Sequence, residues 1–181
     1  MRGWKPFADR SEDKGETWTR TENWEIDRQV IRGLGAIQPT LWEAPEGTVH
    51  ALLRTHAGFM AYSKSTDGGR TWSALEPTDL PNNNSGTDVL QLEDGRLLLA
   101  YNPQDENWGP RTPMTIAVSE DSGETWTRFA NLEADPDADA EFSYPTLTRT
   151  DDGVALSYTY QRETVRVWQM PLEVFATEAT K

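Results

Sequence analysis

Asp13, Asp67 and Asp121 stand 54 residues apart in three copies of one octet, S-x-D-x-G-x-T-W, at residues 11–18, 65–72 and 119–126. Carboxylates repeated at a fixed spacing are candidates for acid–base chemistry. Their neighbours point elsewhere. In each copy the Asp and Gly lie between strand-forming residues and a Trp, which is hairpin punctuation. The carboxylate can accept backbone N–H groups just ahead of it, and the Gly can take a positive φ. The Ser and Thr hydroxyls can satisfy further loop groups, while the Trp re-enters a strand and buries its ring under the turn. The octet reads as a corner that repeats because the architecture repeats, so these aspartates are set aside as catalytic groups.

Other residues with chemical capability are fewer. Pro81–Gly86 is a loop rich in amide donors and acceptors, in which Asn84 and Ser85 are candidates for contact with substrate hydroxyls. Asn83-Asn84-Ser85 also matches a glycosylation sequon. Glu133, Asp135, Asp137, Asp139 and Glu141 alternate like calcium ligands, but Ala140 replaces the Gly that a calcium loop needs and Pro136 stiffens it. A solvated acidic loop is the reading. His50 and His56 lack metal-ligand spacing. Zero cysteines exclude disulfides, zinc–thiolate sites and a cysteine nucleophile, and leave the compartment open. The net charge of −13 argues against nucleic acid or an anionic membrane as partner, and no apolar stretch approaches a membrane span.

The elements that must position these residues are short strands. Residues 37–42, 48–54 and 58–63 read as three strands leading into the second octet. Residues 87–92, 96–101 and 114–119 repeat the order into the third, and 144–149, 154–160 and 165–170 follow it. A single helical turn is expected near Leu172 to Phe175. Four short antiparallel strands per repeat is the pattern of an all-β β-propeller blade. The expected division is a blade remainder at 1–30 and blades at 31–80, 81–135 and 136–181. A six-bladed ring with this period needs roughly 320 residues, so three blades and a remainder cannot close one alone. The expectation is part of a larger ring, completed by a missing N-terminal half or by a second copy of the chain.

Octets of this form resemble the Asp boxes, or bacterial neuraminidase repeats, of the sialidase superfamily, and the resemblance covers nearly the whole chain. It implies the C-terminal half of a six-bladed sialidase-like propeller. It also implies an exo-glycosidase that holds a substrate carboxylate between three arginines, attacks with a tyrosine assisted by a glutamate and protonates the leaving group with an aspartate. Bidentate guanidinium groups suit a planar carboxylate, and a neutral phenol meets an anionic sugar without the repulsion a carboxylate nucleophile would suffer. On this pattern Arg54, at the end of its blade's second strand, is similar to the family's second arginine. Arg111, eight residues before Ser119, is similar to the third, with Met114 where a leucine is usual. Tyr144, at the head of the last blade, occupies the place of the nucleophile.

One position departs from the family. Gln38 stands where the resemblance expects the glutamate that activates the tyrosine, and an amide cannot take a phenolic proton. Glu141, three residues before Tyr144, is the alternative carboxylate, although strand alternation needs a bend to bring the two together. Arg162 and Tyr160 close a strand on the expected pocket rim, with Arg162 a candidate binder. The family's first arginine and acid aspartate have no counterpart in this chain. The expected function is sialidase-like hydrolysis of a carboxylated sugar, without a cofactor. The alternatives are action on another acidic glycan, such as uronide elimination with Tyr144 as proton carrier, and a non-catalytic glycan-binding propeller.

Overall fold

The computed structural model describes residues 3–137 and 139–175. The chain is all-β. Thirteen strands run in the order β1 (Asp9–Arg10), β2 (Thr19–Arg20), β3 (Ala36–Glu43), β4 (Val49–Thr55), β5 (Gly58–Ser65), β6 (Glu76–Asn82), β7 (Asp88–Gln91), β8 (Leu97–Tyr101), β9 (Met114–Ser119), β10 (Thr127–Glu133), β11 (Phe142–Thr150), β12 (Gly153–Tyr160) and β13 (Thr164–Pro171), followed by a 3-10 turn at Leu172–Phe175. They form four antiparallel sheets of neighbouring strands, β1-β2, β3-β4-β5-β6, β7-β8-β9-β10 and β11-β12-β13. Each of the nine strands and the helical turn expected from sequence is present. The last sheet has three strands among the described residues rather than the four expected of a repeat.

Two compact units divide the chain. One runs to Asn84 and takes in Gln104–Gly109, and the other comprises Ser85–Pro103 and the residues from Pro110 onward. In the first, Trp24, Ile31, Ala36, Ala51, Leu53, Ala61 and Leu75 make the core. Trp24 stacks on the octet residue Trp72 at 4.1 Å. In the second, Leu98, Ile116, Phe142, Leu147, Val154, Leu156, Tyr158 and Phe175 are buried together. A hydrogen bond from the Leu147 backbone N–H to Asp88 Oδ2 (2.7 Å) ties its two sheets.

The octets share one hydrogen-bond scheme. In the first, Ser11 Oγ donates to Asp13 Oδ1 (2.8 Å) and accepts from the Gly15 N–H (2.7 Å), while the Thr17 N–H and hydroxyl donate to the two carboxylate oxygens (2.8 and 2.6 Å). Ser65, Asp67, Gly69 and Thr71 repeat it, as do Ser119, Asp121, Gly123 and Thr125. The indole N–H of Trp18, Trp72 and Trp126 donates to the octet Gly carbonyl (3.0, 3.2 and 3.2 Å). Burial of the ring under the turn is incomplete, and Trp18 is 63% exposed. The indole is fixed by this polar contact to its own corner, and Trp72 gains cover from Trp24.

Two consequences are measurable. The Thr17 hydroxyl and N–H and the Ser11 hydroxyl hold the Asp13 carboxyl down at about 2, and equivalent bonds lower Asp67 and Asp121. A carboxyl depressed in the folded state adds stability that is complete above the ordinary aspartate range and is lost as pH falls through the folded value. The melting temperature should therefore decline from about pH 4 to pH 2, and less steeply in Asp67→Asn. The second consequence concerns the residue before each octet Gly, which is also left-handed: Lys14 (φ 61°), Gly68 (φ 70°) and Ser122 (φ 60°). Lys14→Gly relieves that conformation and should raise stability by about 0.5 kcal/mol after the unfolded-state entropy is offset, read from the denaturant midpoint.

Candidate functional site

A β-bulge repeated in two sheets presents two of the candidates. β3 pairs Ile37 with Arg54 and Thr40 with Leu52, so β3 carries one extra residue, and β11 does the same between Ser143, paired with Thr159, and Thr146, paired with Ser157. The bulges hold Gln38-Pro39-Thr40-Leu41 and Tyr144-Pro145-Thr146-Leu147, with Gln38 at φ 53° and Tyr144 at φ 52°. Proline lacks the donor a continuous ladder requires, which suits a bulge. A left-handed residue other than glycine costs about 1–2 kcal/mol, and such strain concentrates at functional positions. Both side chains are exposed, Tyr144 at 43%.

In the second unit Arg111, Glu141, Tyr144 and Arg162 come together. Arg111 is 9% exposed and lies before β9, rather than at its head, in an isolated bridge to Glu141. Its Nη1 donates to Glu141 Oε1 (3.1 Å), and its guanidinium lies 5.0 Å from the centre of the Tyr144 ring. Ser143 Oγ donates to the same Oε1 (2.7 Å), and Arg162 Nε donates to Oε2. The bend required to relate Glu141 to Tyr144 exists at the bulge, and Arg111 is the group that touches both. Burial acts to raise the Glu141 carboxyl, but Ser143, Arg111 and Arg162 together outweigh it and hold it below its ordinary value. A carboxylate so stabilised is a strong partner for cations and a weak proton acceptor.

Arg162 reaches Glu141 from the turn beyond β12, where Gln161 (φ 54°) and Arg162 (φ 56°) are both left-handed. Gln161 also brackets the Glu141 backbone, its N–H donating to the Glu141 carbonyl (2.7 Å) and its Oε1 accepting the Glu141 N–H (2.9 Å). Two guanidinium groups on one carboxylate leave the cluster with a net positive charge.

Arg54, in the first unit, has a different shell. It is 6% exposed, its Nη1 donates to Gln38 Oε1 (2.8 Å), its Nε donates to Asn84 Oδ1 (3.1 Å), and its guanidinium lies 5.3 Å from the Trp4 ring centre. Among the described residues no carboxylate pairs with it. Because arginine only donates, both amides must turn their oxygens to it, and the Asn84 Nδ2 is left buried without a hydrogen-bond partner among the described residues. Asn84 thus stands beside the guanidinium it orients, whereas Ser85 is wholly buried in the other unit.

Asn83 is buried as well, so the sequon is inaccessible in the folded chain. The acidic loop is less solvated than its composition suggests. Glu133 accepts the Tyr158 hydroxyl (2.7 Å) and Arg166 (2.6 Å). Asp135 and Asp137 accept backbone N–H groups two residues on (2.9 and 3.0 Å). No group of described His or acidic residues could hold a metal ion.

Sequence reasoning did not single out Trp4 or Trp108, and it weighed His56 only as a metal ligand. His56 meets Trp4 edge to face at 4.8 Å and Trp108 likewise at 5.7 Å, and burial, then Arg54, lowers its pKa. No spacing connects residues 4, 56 and 108. The matching x-P-T-L tetrapeptides at Gln38 and Tyr144 were readable and would have paired these two positions.

Repeated antiparallel sheets joined by Asp-centred corners define the chain as a propeller protein of the sialidase kind. The chain belongs to the BNR repeat-like domain family, which matches residues 1–156. It is 26% identical over 161 residues to an anhydrosialidase of Macrobdella decora, covering 82% of this chain and 20% of that protein. Among solved structures it superposes on the intramolecular trans-sialidase of Ruminococcus gnavus with a TM-score of 0.64 and 21% identity, covering 94% of this chain and 38% of the other. The NanB sialidase of Streptococcus pneumoniae gives 0.66 and 17%, covering 92% and 26%. The chain therefore spans well under half the length of each.

Proposed function

We propose that the intact protein is a sialidase-like exo-glycosidase for carboxylated sugars, with Tyr144 as nucleophile and Arg54 and Arg111 as carboxylate ligands. The observation that carries this reading is the placement of Tyr144, an exposed phenol on a strained bulge with a buried guanidinium against its ring. Arg54 supports the charge of the substrate. A buried guanidinium whose hydrogen-bond partners are amides has no counter-charge among the described residues, and an anionic ligand supplies one. In this reading Gln38 and Asn84 orient Arg54, while Glu141 and Arg162 fix Arg111. The anhydrosialidase likeness agrees with the substrate class.

The test is incubation of the intact protein with a fluorogenic sialoside and with a uronide polysaccharide. Release of the fluorophore with free or anhydro sialic acid is expected. Ultraviolet absorbance from an unsaturated uronide, with the sialoside untouched, would replace hydrolysis by elimination. Binding without turnover on either substrate would leave a glycan-binding propeller.

A further inference from the structure

The turn between β12 and β13 is built against its own residue types. Its central residues, Gln161 and Arg162, are both left-handed, at φ 54° and 56°, and the Glu163 N–H closes it on the Tyr160 carbonyl (3.1 Å). A hairpin turn with two left-handed centres ordinarily takes Asn-Gly, whose glycine meets no Cβ penalty. Two long polar side chains persist there only where their surroundings impose it. Here Glu141 does. Gln161 donates its N–H to the Glu141 carbonyl (2.7 Å) and accepts the Glu141 N–H at its Oε1 (2.9 Å), while Arg162 Nε donates to Glu141 Oε2. The result is a guanidinium used on one side. The Arg162 side chain is 72% exposed, and its Nη1 and Nη2 make no hydrogen bond among the described residues. Glu141 cannot neutralise it fully, because Oε1 of the same carboxylate already accepts Arg111 and Ser143. Glu163, next in the chain, is exposed and forms no ion pair with Arg162 among the described residues. A strained turn therefore holds the outer edge of a cation in water, one carboxylate away from the Arg111 that lies on Tyr144.

We propose that Arg162 receives a second anionic group of the substrate, a carboxylate or sulfate ester on the glycan beyond the carboxylated residue held at Arg111, an inference that rests on the acidic-sugar reading. The outer edge of a guanidinium offers parallel N–H groups that match two oxygens of either oxyanion. Nε stays on Glu141 while that edge binds, so the ligand adds a contact without breaking one. Arg111 and Arg162, joined through Glu141, then select glycans with two acidic groups over those with one.

Calorimetric titration of the intact protein with sialyllactose, sialyllactose sulfated on galactose, disialyllactose and sulfated lactose tests this, comparing wild type, Arg162→Gly and Arg162→Lys. The quantity read is a ratio of affinities, because Arg162 also fixes Arg111 through Glu141 and its loss weakens every ligand held there. Wild type should favour the sulfated or the disialylated ligand over sialyllactose by about tenfold, the equivalent of one charge-assisted contact, and the favoured one identifies the second group. Arg162→Gly should bring that ratio to about one, and Arg162→Lys, which keeps the charge and loses the fork, should leave about threefold. Equal losses on all ligands in Arg162→Gly, with the ratio kept, would make Arg162 a positioning residue only and overturn the proposal. A wild-type ratio of one for both dianionic ligands would overturn it as well. Sulfated lactose binding that depends on Arg162, with no sialyllactose bound, would keep the anion receptor and remove the acidic-sugar reading. No binding of any of the four by wild type would end both. Should Arg162→Gly unfold, Arg162→Gln against Arg162→Lys reads the same contrast.

Discussion

Phenylalanine in place of Tyr144 is expected to cut release of the leaving group by about a thousandfold or more, while the melting curve is unchanged. The substitution removes one hydroxyl and nothing else. The ring remains, so its contact with the Arg111 guanidinium at 5.0 Å remains, and the left-handed backbone carries the same strain. Because the side chain is 43% exposed, the loss leaves no cavity, and stability should move by less than about 0.5 kcal/mol. A covalent nucleophile acts as one part of a unit, and its removal typically leaves only what binding and charge stabilisation provide. Substrate affinity should survive, because the guanidinium groups are untouched. Retained turnover in a correctly folded Tyr144→Phe protein would remove the tyrosine from the mechanism and leave the arginines to be explained by binding.

Alanine in place of Arg111 is expected to act on stability as strongly as Tyr144→Phe acts on rate. The Arg111 and Glu141 side chains are both close to fully buried, and their bond joins the segment before β9 to the head of β11. Removing the arginine leaves a buried carboxylate whose remaining cation, Arg162, is mostly in solvent. Breaking such a pair from one side costs about 3–5 kcal/mol, because the surviving charge keeps its desolvation penalty. For a chain of this size that is a fall of roughly 10 °C in melting temperature. The double variant Arg111→Met with Glu141→Gln should lose much less than Arg111→Ala, since neither charge is stranded.

The deficit should also depend on pH with a definite sign. Glu141 is held below its ordinary value in the wild type, so its favourable contribution is present at neutral pH and lost in acid. The gap between wild type and Arg111→Ala should therefore be widest near neutrality and narrow as pH falls through the carboxylate range. A gap of constant size from pH 7 to pH 4 would show that the cost comes from lost packing rather than from charge.

The frame of this protein was legible because it repeats. Each octet carries its own hydrogen-bond partners, so its conformation is decided locally, and the strands between octets follow from alternation and turn chemistry. Arg54, Arg111 and Tyr144 were singled out as candidates by the family resemblance and the repeat register, and Glu141 by its position three residues before Tyr144. Their partners were harder to read. Gln38 and Tyr144 each precede a proline, which by itself argues for extended backbone, yet both are left-handed because the neighbouring strand dictates a bulge. That Gln38 grips Arg54, or that Glu141 binds two arginines, depends on side chains brought together by sheet pairing and turn geometry across 16, 30 and 21 positions of chain. Trp108 was invisible for a related reason. Its exposure comes from a segment pinned by contacts of its backbone, and backbone contacts leave little mark on residue type.

The twin bulges at Gln38 and Tyr144 carry an evolutionary implication. Both pedestals share a proline, a threonine and a leucine, and they differ in the one side chain raised on top. The frame bears the conformational strain whichever residue stands there, so a change of mounted group leaves the sheet beneath it intact. An exposed phenol and an arginine-holding amide are then alternative tenants of one kind of mount. Descendants of such an array can exchange chemistry by substitution at a single codon, with the folding of the blade left as it was.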